Sequence, residues 1–129
     1  MRALLASLPV VLLFAGWSLA QPPVASYTGD QATEGRTAYD DSCATCHTAA
    51  LQGGLDAPPL AGDEFLGLWG GRPARELLSY IRAAMPPAGR KPDDETLASI
   101  VAYILDRNGM NSGQTRFGPD DRGIIAVDR

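Results

Sequence analysis

The stretch Cys43-Ala44-Thr45-Cys46-His47 decides how this chain folds. Two cysteines three residues apart in a continuing helix place both sulfurs on one side, within reach of two substituents of a single planar group. His47 follows at once and lies four residues beyond Cys43, so its imidazole turns under the same plane. Other readings of the cysteine pair fare worse. A redox dithiol of the thioredoxin type needs a βαβ surround, and no such pattern flanks this motif. Half a zinc site needs a second pair of ligands, but the chain holds only two cysteines and one histidine. A disulfide across so tight a loop stabilises little.

What remains is the pattern C-x-x-C-H, the attachment signature of c-type haem. In it the thiols become thioethers to the haem vinyl groups, and the neutral imidazole binds iron from the proximal side. One covalent haem c also supplies core that three helices of a short chain lack.

Composition agrees with that reading. A chain of 129 residues is one domain, and 45% apolar with 20% charged residues is ordinary for a globule. A formal charge of −4 excludes a basic nucleic-acid surface. The lone histidine leaves hydrolytic triads poorly supplied. At the start, Arg2, the apolar run Ala3–Ala15 and the small residues of Ser18-Leu19-Ala20 read as a cleaved signal peptide over 1–20. The competing reading is an uncleaved membrane anchor. Ala3–Ala20 is short for a span and contains Ser7, Pro9 and Ser18, so cleavage is preferred. The mature chain is then periplasmic, the compartment in which c-type haem is attached, and meets the membrane only if the segment is retained.

Three helices and no convincing strand follow from periodicity. Residues 21–28, with Pro22-Pro23, read as a linker. Thr28-Gly29-Asp30-Gln31 fits a capping box, opening a helix with Ala32, Gly35, Tyr39 and Cys43 on one face. Thr48–Gly71 reads as loop with one short helix. Pro73 suits the first turn of a second helix with Leu77, Leu78 and Ile81 inward. Pro86 biases Met85 to an extended backbone and ends that helix by about Ala84. Asp93 or Asp94 caps a last helix with the stripe Leu97, Ile100, Val101, Ile104 and Leu105, stopped by Asn108-Gly109. The haem domain spans 29–109, and 110–129 form an irregular C-terminal extension without a strong pattern.

The sequence resembles the class I cytochromes c from about Gln31 to Asn108. Besides the cysteine motif, Gly35 and Tyr39 resemble the family's Gly-x-x-x-aromatic pair, and Tyr103 the last-helix aromatic that packs across that glycine. Pro58-Pro59-Leu60-Ala61-Gly62 matches Pro-x-Leu-x-Gly, whose proline carbonyl accepts the proximal histidine's Nδ1–H. Pro59 is the alternative acceptor; Pro58 gives the motif's phase. Met85-Pro86 resembles the loop that delivers the distal ligand. The resemblance implies an all-α class I cytochrome c fold, with three or more helices wrapped round one covalent haem. Haem-binding residues are then Cys43, Cys46, His47, Pro58, Leu60, Trp69 and Met85, with His47 and Met85 on the iron.

For the distal position the residues alone leave Met85, Met110 and the sole lysine, Lys91, since one histidine cannot supply two. The phase of the family motif selects Met85. Ala83 departs from mitochondrial members, which carry a threonine there that bonds a haem propionate; Trp69 and Arg72 are candidate replacement donors, with packing and surface roles as the alternative. The wording from Phe65 to Trp69 and through Met85-Pro86-Pro87 resembles haem domains that work with bacterial quinoprotein dehydrogenases or terminal oxidases.

The function expected is a periplasmic one-electron carrier, Fe(III)/Fe(II), rather than an enzyme. It passes electrons between a dehydrogenase or respiratory donor and an oxidase or other acceptor. Two rivals stand beside it. One is a haem subunit tethered in a larger dehydrogenase or oxidase membrane complex. The other is a catalytic or sensory haem protein with a labile methionine, disfavoured because no second histidine offers a distal acid or base. Charge near the motif suggests how redox partner proteins are steered: Asp40 and Asp41 precede Cys43, and Arg90 and Lys91 follow Met85.

Overall fold

Gly35 sets the geometry of the fold. A Cβ built on it would collide with the backbone carbonyl of Ser99. Only a residue without a side chain lets the two helices carrying these residues meet backbone to backbone. In the computed structural model, which describes residues 20–127, those helices are α1 (Gly29–Ser42) and α5 (Asp94–Arg107). One turn further along α1, Tyr39 packs on Tyr103 of α5 with ring centroids 5.3 Å apart and planes tilted by 56°. Between them in the chain lie α2 (Ala44–His47), α3 (Asp63–Trp69) and α4 (Ala74–Ala84). Among the described residues there is no strand, only isolated bridges from Ile124 to Val24 and to Pro73. The fold is all-α.

The core is built from two helical stripes. Leu77, Leu78 and Ile81 of α4 pack with Leu97, Ile100, Val101, Ile104 and Leu105 of α5, all buried. The stripes follow the i, i+3, i+4 spacing that turns one helix face inward. Asp93 caps α5, its Oδ1 accepting the Thr96 N–H at 2.8 Å. Asn108 ends the helix, and Gly109 leaves it with φ of 82°, a conformation that favours glycine. Helix α4 ends at Ala84 with Met85 extended behind it.

The structure departs from the sequence expectations in three places. First, α1 does not run on through the cysteines. It ends at Ser42, Cys43 sits outside helical geometry with φ of −123°, and a new turn begins at Ala44. The Cys43 N–H completes α1 on the Tyr39 carbonyl at 2.8 Å, while its own carbonyl accepts from Cys46 and His47 at 3.1 and 3.0 Å. Second, the capping box is only half made. Thr28 Oγ1 accepts the Gln31 N–H at 3.2 Å, but the Gln31 side chain does not reach back. It bonds the backbone of Phe117 instead, accepting its N–H at 2.7 Å and donating to its carbonyl at 2.9 Å.

Third, the extension is ordered by long-range pairing that leaves no periodic trace. Phe117 and Ile125 are buried. The Ile124 carbonyl accepts from Ala25 at 2.9 Å, and Ile125 exchanges bonds with the far side, donating to Arg72 at 2.9 Å and accepting from Gly71 at 2.8 Å. The strap therefore lies between the segment ahead of α1 and the start of α4, so residues 24–27, within the stretch read as a linker, are held in the fold. Tyr27 is fully buried, its single hydroxyl proton shared between Asp106, at 3.2 Å, and the carbonyl of Met110. The signal-peptide reading covers residues 1–20, of which 1–19 lie outside the described residues. Among those described, no helix is long and apolar enough to cross a membrane.

Candidate functional site

The turn that carries the motif is closed on one atom, the Cys43 carbonyl, which gathers the N–H groups of Cys46 and His47. It leaves both thiols free, Cys43 half-buried and Cys46 exposed. Burial pushes the Cys43 thiol up to about 11, with the neighbouring Cys46 adding to the rise. A redox dithiol has the opposite need, a thiol held low so that it attacks as thiolate. No group of three or more potential metal ligands exists among the described residues. The raised Cys43 thiol is unlike that of a redox dithiol, and the pair has no further ligands beside it for a zinc site among the described residues.

His47 is almost buried, at 8% exposure. Its Nδ1 lies 2.8 Å from the Pro58 carbonyl. A carbonyl only accepts, so Nδ1 carries a proton, and the neutral ring in this tautomer offers its Nε2 lone pair, the form of histidine that binds a metal. Pro59 does not take this bond. The loop that brings Pro58 back to the histidine is tightly specified. His47 accepts the Gly53 N–H at 3.0 Å through its carbonyl, and Leu51 accepts the Leu60 N–H at 2.8 Å. Thr48 and Leu51 adopt positive φ of 64° and 60°. Leu51 is fully buried, and the Thr48 carbonyl accepts the Tyr39 hydroxyl at 2.7 Å. Such conformations are tolerated where packing and bonding over-determine them. Gly53 has no alternative, since a Cβ there would meet the backbone of residues 57–59. Leu60 is half-buried against the core.

Met85 stands at the C-cap of α4, its N–H bonded to the Ile81 carbonyl at 2.8 Å. Its side chain is half-buried against the core. The two other distal candidates have partners of their own. Met110 is buried in the core just after α5, and its backbone carbonyl accepts from the Tyr27 hydroxyl. Lys91 Nζ donates to the carbonyls of Arg82 and Ala83 at 3.3 and 3.0 Å, closing the last turn of α4. Lys91 is exposed beside Arg90 and keeps its charge while bonded to these neutral carbonyls. Trp69, at 8% exposure, packs on Tyr80 with centroids 5.7 Å apart. The Arg72 guanidinium lies over its ring at 4.3 Å and forks onto Glu76 Oε2 at 3.1 and 2.9 Å. Glu76 takes two of the five guanidinium N–H groups of Arg72.

Sequence reasoning missed the side chain of Asn108, which it took only as a helix stop, and the hydroxyl of Tyr39. Neither belongs to a local pattern, because their partners lie far along the chain or in an irregular loop.

Comparison with known proteins gives the family. The family described as cytochrome c oxidase, cbb3-type, subunit III matches residues 30–104. Among curated proteins, the Cbb3-type cytochrome c oxidase subunit CcoP of Azospirillum sp. (strain B510) is 35% identical over 86 residues, covering 59% of this chain and 28% of that protein. The subunit of the same name from Azospirillum brasilense is 34% identical over 87 residues, covering 60% and 29%. The chain thus spans less than a third of the length of these relatives. No solved structure matches the chain significantly.

Proposed function

Given that the chain belongs to the family described as cytochrome c oxidase, cbb3-type, subunit III, we propose that it carries single electrons to a terminal oxidase through one covalently attached haem c. It is a class I c-type cytochrome and an electron-transfer haem protein. The observation that carries the proposal is the His47–Pro58 bond beside two free thiols on the same turn. When bound, the haem supplies a one-electron Fe(III)/Fe(II) couple.

The residues divide the remaining work. Cys43 and Cys46 offer thiols as the covalent tethers. The Pro58 carbonyl fixes the His47 tautomer and makes the ring a stronger donor. Met85 offers a thioether, and His/Met ligation raises the reduction potential. Buried Leu77, Leu78 and Ile81 precede Met85 on α4 and provide apolar surroundings that disfavour the extra charge of Fe(III). Electron transfer of this kind needs no proton donor and no substrate pocket.

The acceptor is inferred from the relatives, which are named as oxidase subunits. That naming favours an oxidase over a dehydrogenase as partner, with the domain on the periplasmic side. It also gives weight to a second reading, a haem domain fixed within the oxidase complex rather than a free carrier. The test of the main proposal is attachment. In a host that matures c-type cytochromes, haem should stay on the polypeptide through boiling and denaturing electrophoresis, and Cys43→Ala with Cys46→Ala should remove it. Haem extracted from the unmodified protein by acidic acetone contradicts the proposal. Co-sedimentation of the haem protein with oxidase activity separates the complex-bound form from the free one.

A further inference from the structure

The side chain of Asn108 does more than end a helix. The Asn108 N–H already closes α5 on the carbonyls of Ile104 and Leu105, each at 3.1 Å. Its half-buried amide reaches across to the loop that supports His47. Nδ2 donates to the Leu60 carbonyl at 3.0 Å and to the Ile104 carbonyl at 2.8 Å, and Oδ1 accepts the Gly62 N–H at 3.0 Å. An amide that donates to one residue's carbonyl and accepts from the N–H two residues on pairs with that segment as a neighbouring strand would. Leu60 is held from its other side as well, its N–H on the Leu51 carbonyl at 2.8 Å. Both polar groups of Leu60 are therefore fixed, two residues beyond the Pro58 carbonyl that receives the His47 Nδ1–H.

We infer that Asn108 is a positioning residue for His47, holding the 58–62 segment on the end of α5 so that the Pro58 carbonyl stays on the imidazole. The inference rests on the reading of His47 as the iron ligand. It acts through the proximal bond: a firm N–H···O bond makes the imidazole a stronger donor and stabilises Fe(III). Without the amide, the Leu60 carbonyl and Gly62 N–H turn to water, the segment loosens and the donor weakens. The midpoint potential then rises.

The experiment uses the haem-loaded, ¹⁵N-labelled full chain in its reduced state. Solvent exchange of the His47 Nδ1–H is measured by NMR, together with the midpoint potential, for wild type, Asn108→Ala and Asn108→Asp. Asn108→Ala should speed exchange about tenfold or more and raise the potential, with helical content unchanged. Asn108→Asp keeps the acceptor for Gly62 but loses both donors, and it decides the matter by exchange alone if the alanine variant does not hold haem. Met110→Ala loosens the end of α5 without removing a bond to Leu60 or Gly62, and should leave exchange as in wild type. Exchange within twofold of wild type in both Asn108 variants, or equal acceleration by Met110→Ala, overturns the positioning role. A wild-type His47 ring lacking the large upfield shift imposed by a haem overhead overturns the ligand reading itself, and the positioning role with it.

Discussion

Gln31 and Phe117 exchange two hydrogen bonds across 86 positions of sequence, the glutamine amide taking the place of a partner strand for one buried residue. Gln31 is fully buried on α1, the helix that leads into the Cys43–His47 turn. The strap that returns after α5 is thus fastened to the helix that delivers Cys43. Gln31→Leu fills the space but leaves a buried N–H and a buried carbonyl unpaired, at about 1–3 kcal/mol each. Chemical denaturation of the haem-loaded variant should show a loss of about 2–4 kcal/mol. A loss under half a kilocalorie would mean that the strap is not held by this pair.

The same strap carries an acid-sensitive tie. Arg116 forks onto Glu34 at 2.8 and 3.3 Å, and this bond holds the Glu34 carboxyl below its ordinary value of 4.5. A depressed carboxyl contributes stability above its unfolded pKa and loses it as pH falls through the folded one. The strap should therefore open more readily below about pH 4.5, read as faster amide exchange at Phe117. Both side chains are about half exposed, so the effect should be small and weakened by salt. Glu34→Gln should remove the pH dependence, and persistence of that dependence in the variant would assign it to another group.

Gly35→Ala tests the helix crossing. The added methyl would strike the Ser99 carbonyl, a backbone atom that cannot rotate away. Overpacking of this kind costs about 1–3 kcal/mol and sometimes more. Since α1 and α5 also carry Tyr39 and Tyr103, separation should loosen that ring pair. Thermal unfolding should fall by several degrees, about 2–8 °C per kcal/mol across the sizes that bracket this chain. An unchanged midpoint would show that the helices part at no cost.

How much of this was legible in the sequence depends on the range of each interaction. The helix stripes, the Asp93 cap and the Asn108-Gly109 stop are written within four residues, and they stand where the pattern places them. The His47–Pro58 bond spans eleven residues of loop, and the family motif supplied what periodicity does not. The break of α1 at Cys43 was not visible, because the residues of the motif are acceptable inside a helix and the break lies only in the Cys43 backbone, at φ of −123°. The strap left no trace either. Its order comes from single contacts such as Gln31–Phe117 and Ile125–Arg72, made between segments too short to carry a period. Lys91 was readable as a charge, but not as the cap of the preceding helix.

The central claim is a His47/Met85-ligated haem, and a redox titration of the full chain followed by visible and near-infrared spectra tests it most directly. The account predicts a single one-electron wave and a low-spin spectrum in both states. The oxidised protein should show the weak near-infrared methionine-to-iron band. Met85→Ala should abolish that band, lower the potential and open the iron to added ligands. Met110→Ala, which empties a buried site, should cost about 2–5 kcal/mol of stability and leave the band in place. A band lost in the Met110 variant and kept in the Met85 variant, or no one-electron wave at all, would contradict the account.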